Sequence, residues 1–330
     1  MYLKIEQLVN SFSPHPAIKG GVSQTILGSQ FPGKPEAFPE LIPHTLDLGV
    51  DAKSIIFEIE ARDKEKPVVL LAHGMGGCSG SGYIKRIAAK LGALGYGVFM
   101  INHRGSGAGI GLSSSLWNGG SSEDLSLMVD YILKKHLQLL VVGFSLSGNI
   151  LIKYLGEGRS IPDGLLGALA VNPPIDLRVA SHTLSTHRSC WLFNRYYMKL
   201  IGNQARALIK NFPDASDPRG NLSTIWNFDV SYTAPVGGYK DVDDYYDQCS
   251  GKNYLKNIAT PTSILCAQDD PFVPPEVFRN QSCNVDIYQP KGGGHMGYIS
   301  QQRTPHGDRR WMDYVVLEWI QNMCKREIFR

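Results

Sequence analysis

Residues 139–149 read L-L-V-V-G-F-S-L-S-G-N. An apolar run of the kind that forms a buried strand meets a glycine, and a helical pattern begins almost at once. Few folds accept so short a passage from strand to helix. Such a turn lifts Ser145 above the strand end with its hydroxyl exposed, as a nucleophile elbow does. It demands small residues, because backbone passes close to backbone. Gly143, two residues before the serine, meets that demand. Ser147, two residues after it, stands where the G-x-S-x-G pattern has glycine, and it is still small. The helix starting at Leu146 then sets its positive N-terminal end under the site.

A serine hydroxyl is a poor nucleophile until a base takes its proton and an acid orients that base. On an elbow the partners follow in the order serine, acid, histidine. Residues 261–274, P-T-S-I-L-C-A-Q-D-D-P-F-V-P, run from an apolar strand into two carboxylates and a proline-marked loop. Residues 286–297, D-I-Y-Q-P-K-G-G-G-H-M-G, run from a short strand into a glycine-rich loop that presents His295. Order and strand-end placement both fit. Asp270 stands four residues before Pro274 and matches D-x-x-V-P, so it is the expected acid. Asp269 is the alternative, and an aspartate turn without chemistry reads similarly.

An oxyanion hole needs backbone N–H donors aimed at the developing charge. One expected donor is the amide of Leu146. The other is the amide of Met75, in P-V-V-L-L-A-H-G-M-G-G at 67–77, a second buried-type strand ending in glycines. His73 reads as a strand-end residue that fixes this loop rather than as a base. A phosphate-binding turn is the competing reading, but the string lacks the lysine of a P-loop and the spacing of a dinucleotide fingerprint.

Strands are expected at 54–60, 67–73, 96–102, 138–144, 165–171, 261–267 and 284–289. Amphipathic stretches lie between them. In 83–94, Ile84, Ile87, Ala88, Leu91 and Leu94 recur at helical spacing. Another helix starts near Ser122, with Glu123 and Asp124 favourable in its first turn. This alternation predicts an α/β fold, a mostly parallel central sheet with helices on both faces. Reactive residues then belong at the carboxyl ends of the strands. Residues 175–255 break the rhythm with strings such as H-R-S-C-W-L-F-N-R-Y-Y-M-K-L at 187–200. They read as a helical insertion capping the site of a domain spanning 46–330, and supplying an apolar acyl or alcohol pocket. Residues 1–45, with Pro14, Pro16, Pro32, Pro35, Pro39 and Pro43, read as an irregular arm.

These strings resemble the YheT-like branch of the α/β-hydrolases, a group of esterases and lipases. S-Q-T-I-L at 23–27 is similar to its L-Q-T motif, and H-G-M-G-G at 73–77 to H-G-L-E-G, with Gly76 in place of the acid. N-H-R-G-S-G at 102–107 resembles N-F-R-G-C-S-G, and G-F-S-L-S-G-N resembles G-Y-S-L-G-G-N. F-D-V-S-Y-T-A-P-V-G-G-Y at 228–239, Y-Y-D-Q-C-S at 245–250, A-Q-D-D-P-F at 267–272 and G-G-H-M-G-Y at 293–298 also match. The resemblance implies a charge relay of Ser145, His295 and one of Asp269 or Asp270. L-W-N-G at 116–119 departs from the family's Y-H-S-G. The acyltransferase motif of some relatives, a histidine with an aspartate five residues on, does not occur in the sequence.

At 330 residues and 43% hydrophobic, the chain can bury a large core as one unit. The formal charge is +3, and no basic cluster with interleaved aromatics stands out, so nucleic acid is not an expected partner. Six cysteines show no C-x-x-C pair or metal spacing, and Cys266 sits inside an apolar strand, which suits a reducing compartment. No apolar run is long enough for a signal or an integral membrane segment, and a cytoplasmic enzyme is expected. The expected chemistry is serine-dependent hydrolysis of a small ester or lipid-like substrate, with no metal or organic cofactor. Acyl transfer, and thioester or amide hydrolysis, would use the same residues. A non-catalytic binding protein is the rival from another class; such proteins usually lose a member of the relay, and this chain keeps all three. Nothing in the sequence specifies an oligomeric state.

Overall fold

The apolar runs form the middle of an eight-stranded sheet in the computed structural model, which describes residues 5–31, 38–279, 281 and 284–328. Pro32, Pro35 and Cys283 lie outside the described residues. The strands are β1 (Ile42–Asp47), β2 (Lys53–Ile59), β3 (Val68–Ala72), β4 (Val98–Met100), β5 (Leu139–Phe144), β6 (Leu165–Val171), β7 (Thr262–Leu265) and β8 (Asp286–Tyr288). Their spatial order is β1-β2-β4-β3-β5-β6-β7-β8. β2 runs antiparallel to β1 and β4, and the pairings from β4 to β8 are parallel. β3 and β5 are buried along their whole length, as strands covered on both faces must be.

All seven expected strands are present. β1 escaped sequence reading because only Leu46 in it is buried, so it shows no alternation. It lies at the sheet edge, where Pro43 is tolerated.

The helices are α1 (Ile5–Asn10), α2 (Gly20–Gln30), α3 (Gly82–Ala93), α4 (Ser122–Leu133), α5 (Leu146–Gly156), α6 (Leu177–Thr186), α7 (Trp191–Asn211), α8 (Ile225–Phe228), α9 (Ala234–Val236), α10 (Val242–Cys249) and α11 (Trp311–Ile328). They cover the two sheet faces separately. Ile84, Ile87 and Leu91 of α3 and Val316 and Ile320 of α11 pack on Val69, Leu71 and Val142. Leu125 and Val129 of α4 and Ile150 and Leu151 of α5 pack on Leu70 and Val141, which point the other way. The strand period of two sends alternate residues to opposite cores. No described helix is long and apolar enough to cross a membrane.

The expectation of an irregular arm over 1–45 is corrected. That segment holds α1, α2 and the start of β1. α2 has no apolar stripe to reveal it. It docks through glycines instead: a Cβ on Gly28 would stand 2.6 Å from the Cα of Gly297, so the two backbones touch.

Candidate active site

β5 ends at Phe144 and α5 begins at Leu146, leaving Ser145 alone in the turn with φ 51° and ψ −121°. A non-glycine residue in that conformation is strained and needs support from its surroundings. The Ser145 N–H donates to the carbonyl of Val171 at 2.7 Å, tying the turn to β6. A Cβ on Gly143 would come within 2.6 Å of the Ser147 carbonyl, so no other residue fits there.

The structure brings the three expected groups together. Ser145 Oγ donates to His295 Nε2 at 2.8 Å, and His295 Nδ1 donates to Asp270 Oδ2 at 2.7 Å. The Asp270 side chain is fully buried. Its Oδ1 accepts from the amides of Phe272 and Val273 at 2.9 and 3.2 Å, and its Oδ2 also accepts from Asn172 Nδ2 at 2.7 Å. Four donors on one carboxylate fix its direction. Asp269 points elsewhere. Its Oδ1 accepts from the Gly294 amide at 2.8 Å, and burial pushes its pKa up. The neighbour thus shapes the histidine loop and leaves the imidazole to Asp270.

Sequence reading missed the support behind this chain of bonds. Asn172, at the carboxyl end of β6, bonds Asp270 and the Gly294 carbonyl, and Tyr298 Oη donates to Asn172 Oδ1 at 2.9 Å. α2 supplies the rest. Thr25 Oγ1 accepts from the His295 amide at 2.8 Å, and Gln24 Oε1 accepts from the Ile299 amide at 2.7 Å. Gly294 has φ 58°, and a Cβ there would meet the Gly21 carbonyl at 2.2 Å. The signals were the residue after a strand for Asn172, and the Gln-Thr pair of the quoted 23–27 string for α2.

Met75 and Leu146 both line the cleft beside Ser145 and His295. Neither amide is taken by a hydrogen bond among the described residues. The Met75 loop is anchored behind, where the Gly74 amide donates to Tyr83 Oη at 2.9 Å. His73 is buried and fixed as expected: Nδ1 donates to the Gly74 carbonyl at 2.8 Å, and Nε2 accepts from the His103 amide at 3.3 Å. Trp117 of the divergent 116–119 string stacks on the His103 ring at 4.0 Å.

Ser147 is more than a small residue. Its Oγ donates to the His73 carbonyl at 2.5 Å and accepts from His103 Nε2 at 2.7 Å. Ser147→Gly keeps the turn sterically possible but orphans both buried partners. We expect it to destabilise the fold by about 2–4 kcal/mol, read as a lowered urea midpoint. An unchanged midpoint would contradict this bonding.

The two histidines also set a pH dependence. Burial pulls His73 from 6.5 down to about 4 and holds His103 well below its usual value. The unfolded chain takes up these protons near 6.5 and the native state does not, so stability is lost as pH falls from 6.5 towards 4. Asp229, raised by burial from 3.8 to about 6, acts in the opposite sense between those values. His73→Gln should therefore flatten the fall in Tm over this window, and Asp229→Asn should steepen it. The reverse ordering of the two slopes would contradict the assignment.

The cleft lies above the strand ends. Leu177, Leu184, Ile201, Ile225 and Phe228 from the 175–255 segment make much of its wall apolar. One corner is polar. Asp229 opens a π-helical turn, Asp229–Thr233, and its Oδ2 accepts from Tyr246 Oη at 2.9 Å, with Ser181 Oγ 2.8 Å from the same hydroxyl. No cation pairs with this carboxylate among the described residues.

Comparison with known proteins agrees with the fold. The chain is 29% identical over 276 residues to "Putative esterase YheT" of Escherichia coli (strain K12), covering 80% of this chain and 79% of that one. It is 28% identical over 281 residues to "Monoacylglycerol lipase ABHD2" of Homo sapiens, covering 78% of this chain and 66% of that protein. The chain thus spans about two-thirds of the longer human relative. Among solved structures, the esterase Pf2001 of Pyrococcus furiosus superposes with a TM-score of 0.52 at 17% identity, covering 88% of this chain and 92% of that one, a likeness of fold. The resemblance to the YheT-like branch is borne out. The sequence model of the alpha/beta hydrolase fold matches residues 67–301, and the chain belongs to that family.

Proposed function

We propose that the protein is a serine hydrolase of carboxylic esters, with lipid esters that carry a free hydroxyl, such as partial glycerides, as the best-fitting class. The observation that carries this reading is the Ser145–His295–Asp270 chain of hydrogen bonds at the floor of an apolar cleft, beside two unpaired amides. Relatives named as an esterase and as monoacylglycerol lipases support it.

In this reading Ser145 Oγ attacks the ester carbonyl as His295 Nε2 takes its proton. Asp270 holds the imidazole with Nδ1–H towards itself and Nε2 towards the serine, and stabilises the imidazolium. The amides of Met75 and Leu146 receive the oxyanion. The tetrahedral centre collapses, the C–O bond breaks, and the alcohol leaves with the proton from His295. Water then attacks the acyl-serine, its proton passing to His295 and on to Ser145, and the acid departs. The apolar wall takes the acyl chain. The corner of Asp229, Tyr246 and Ser181 accepts a hydroxyl of the substrate, since a carboxylate without a cation has acceptor capacity to offer.

The test is product analysis with a monoacylglycerol and with the ethyl ester of the same acid. Free fatty acid and alcohol should appear in equal amounts. Acyl groups passing instead to an added alcohol would mark a transferase, and no cleavage of any ester by folded protein would end the reading. Asp229→Asn removes the charge from the polar corner. It should raise KM for the monoacylglycerol about five- to tenfold, the difference between a charge-assisted and a neutral hydrogen bond, and leave the ethyl ester unaffected. Equal effects on both substrates would assign Asp229 to scaffolding alone.

A further inference from the structure

α7 has two faces of different character. The inward face supplies Tyr197, Ile201 and Gln204 to the cleft. The outward face carries Trp191, Leu192 and Tyr196, which are 58, 59 and 51% exposed. Arg195, Lys199, Arg206 and Lys210 are exposed on the same side. At 3.6 residues per turn all seven fall within an arc of about 140°. Arg188, just before the helix, is exposed beside them.

The charge here is one-sided. No aspartate or glutamate occurs between Asp176 and Asp214. None of these five cations meets a carboxylate among the described residues. The whole chain carries a formal charge of only +3, so this is a local asymmetry and not a generally basic protein. The guanidinium of Arg195 lies 5.5 Å from the centre of the Trp191 ring, which keeps cation and indole side by side at the surface.

A shallow groove next to the patch brings Arg188, Arg195 and Lys199 together with the hydroxyl side chains of Thr186, Ser223 and Thr224. Clustered cations suit phosphate oxygens. Tryptophan and leucine beside a ring of arginine and lysine suit the boundary between headgroups and acyl chains. Nucleic acid would use the same cations, but it makes no use of an exposed leucine. It also gives no reason for the patch to lie on the helix that walls an ester cleft.

We propose that the outward face of α7 docks the protein on an anionic phospholipid surface. Trp191 and Leu192 enter the headgroup boundary, and Arg188, Arg195 and Lys199 sit on lipid phosphates. Docking there sets one wall of the cleft against the bilayer.

The experiment is sedimentation with vesicles of phosphatidylcholine alone and of phosphatidylcholine mixed with phosphatidylglycerol, using the full chain carrying Ser145→Ala. Binding then stands or falls apart from hydrolysis. The protein should bind the mixed vesicles, spare the neutral ones, and dissociate as salt is raised. Arg195→Gln with Lys199→Gln should weaken binding about 25-fold, since each basic residue near an anionic surface is worth about fivefold. Trp191→Ser with Leu192→Ser should weaken it by at least a similar factor. In the active chain both pairs should leave hydrolysis of a short soluble ester unchanged, because none of these side chains lines the cleft. Equal binding to both vesicle types, no binding to either, or binding that neither pair alters would overturn the proposal. Tighter retention of an oligonucleotide than of the mixed vesicles at the same salt would also overturn it, giving the face to nucleic acid.

Discussion

Ser145→Ala should lower kcat on a short p-nitrophenyl ester by about 10⁶-fold, the scale of loss when the serine of such a relay is removed. The change deletes one oxygen, whose protein partner is His295 Nε2 at 2.8 Å. The backbone at this position keeps its tie to Val171, so the fold should survive. Thermal unfolding should match wild type while turnover disappears. A folded Ser145→Ala protein with wild-type turnover would remove the proposed mechanism. Lost turnover together with a collapsed Tm would assign the effect to folding.

Asp270→Asn should lower kcat by about 10⁴-fold. Asp270 Oδ2 accepts from His295 Nδ1 at 2.7 Å and from Asn172 Nδ2 at 2.7 Å. An amide nitrogen in that place presents a donor to another donor and turns the imidazole to the wrong tautomer, with no lone pair at Nε2 for the serine proton. Asp269→Asn should cost less than about tenfold, because the asparagine oxygen can still accept from Gly294, a bond worth about 1 kcal/mol. The two variants measured side by side separate the roles. An inactive Asp269→Asn with an active Asp270→Asn would reverse them.

Much of this architecture was legible because single residues carried it. Gly143 and Ser145 reveal the elbow because so few residue types survive such a turn. The spacing from Asp270 to Pro274 singles out one carboxylate of the pair, and it is the one that faces His295. α2 was not legible for the opposite reason. Its docking rests on glycines meeting glycines and on two polar side chains, which leave no apolar period to read. Asn172 was hidden because its partners lie 98 and 122 residues away in sequence. Ser147 looked like a tolerated stand-in for glycine, while its hydroxyl joins two histidine segments that only the folded sheet brings together. The cations of α7 escaped notice for a similar reason. They are spread over 188–210 and gather into one face only when the helix forms.

In the proposed mechanism Ser145 is a nucleophile activated by His295. The most direct measurement is reaction of the wild-type protein with a fluorophosphonate, followed by peptide mass spectrometry to locate the adduct. A single phosphonylated residue is expected, Ser145, labelled in step with loss of esterase activity and labelled far more slowly in Asp270→Asn. An adduct on another serine, or full esterase activity in protein quantitatively labelled at Ser145, would contradict it.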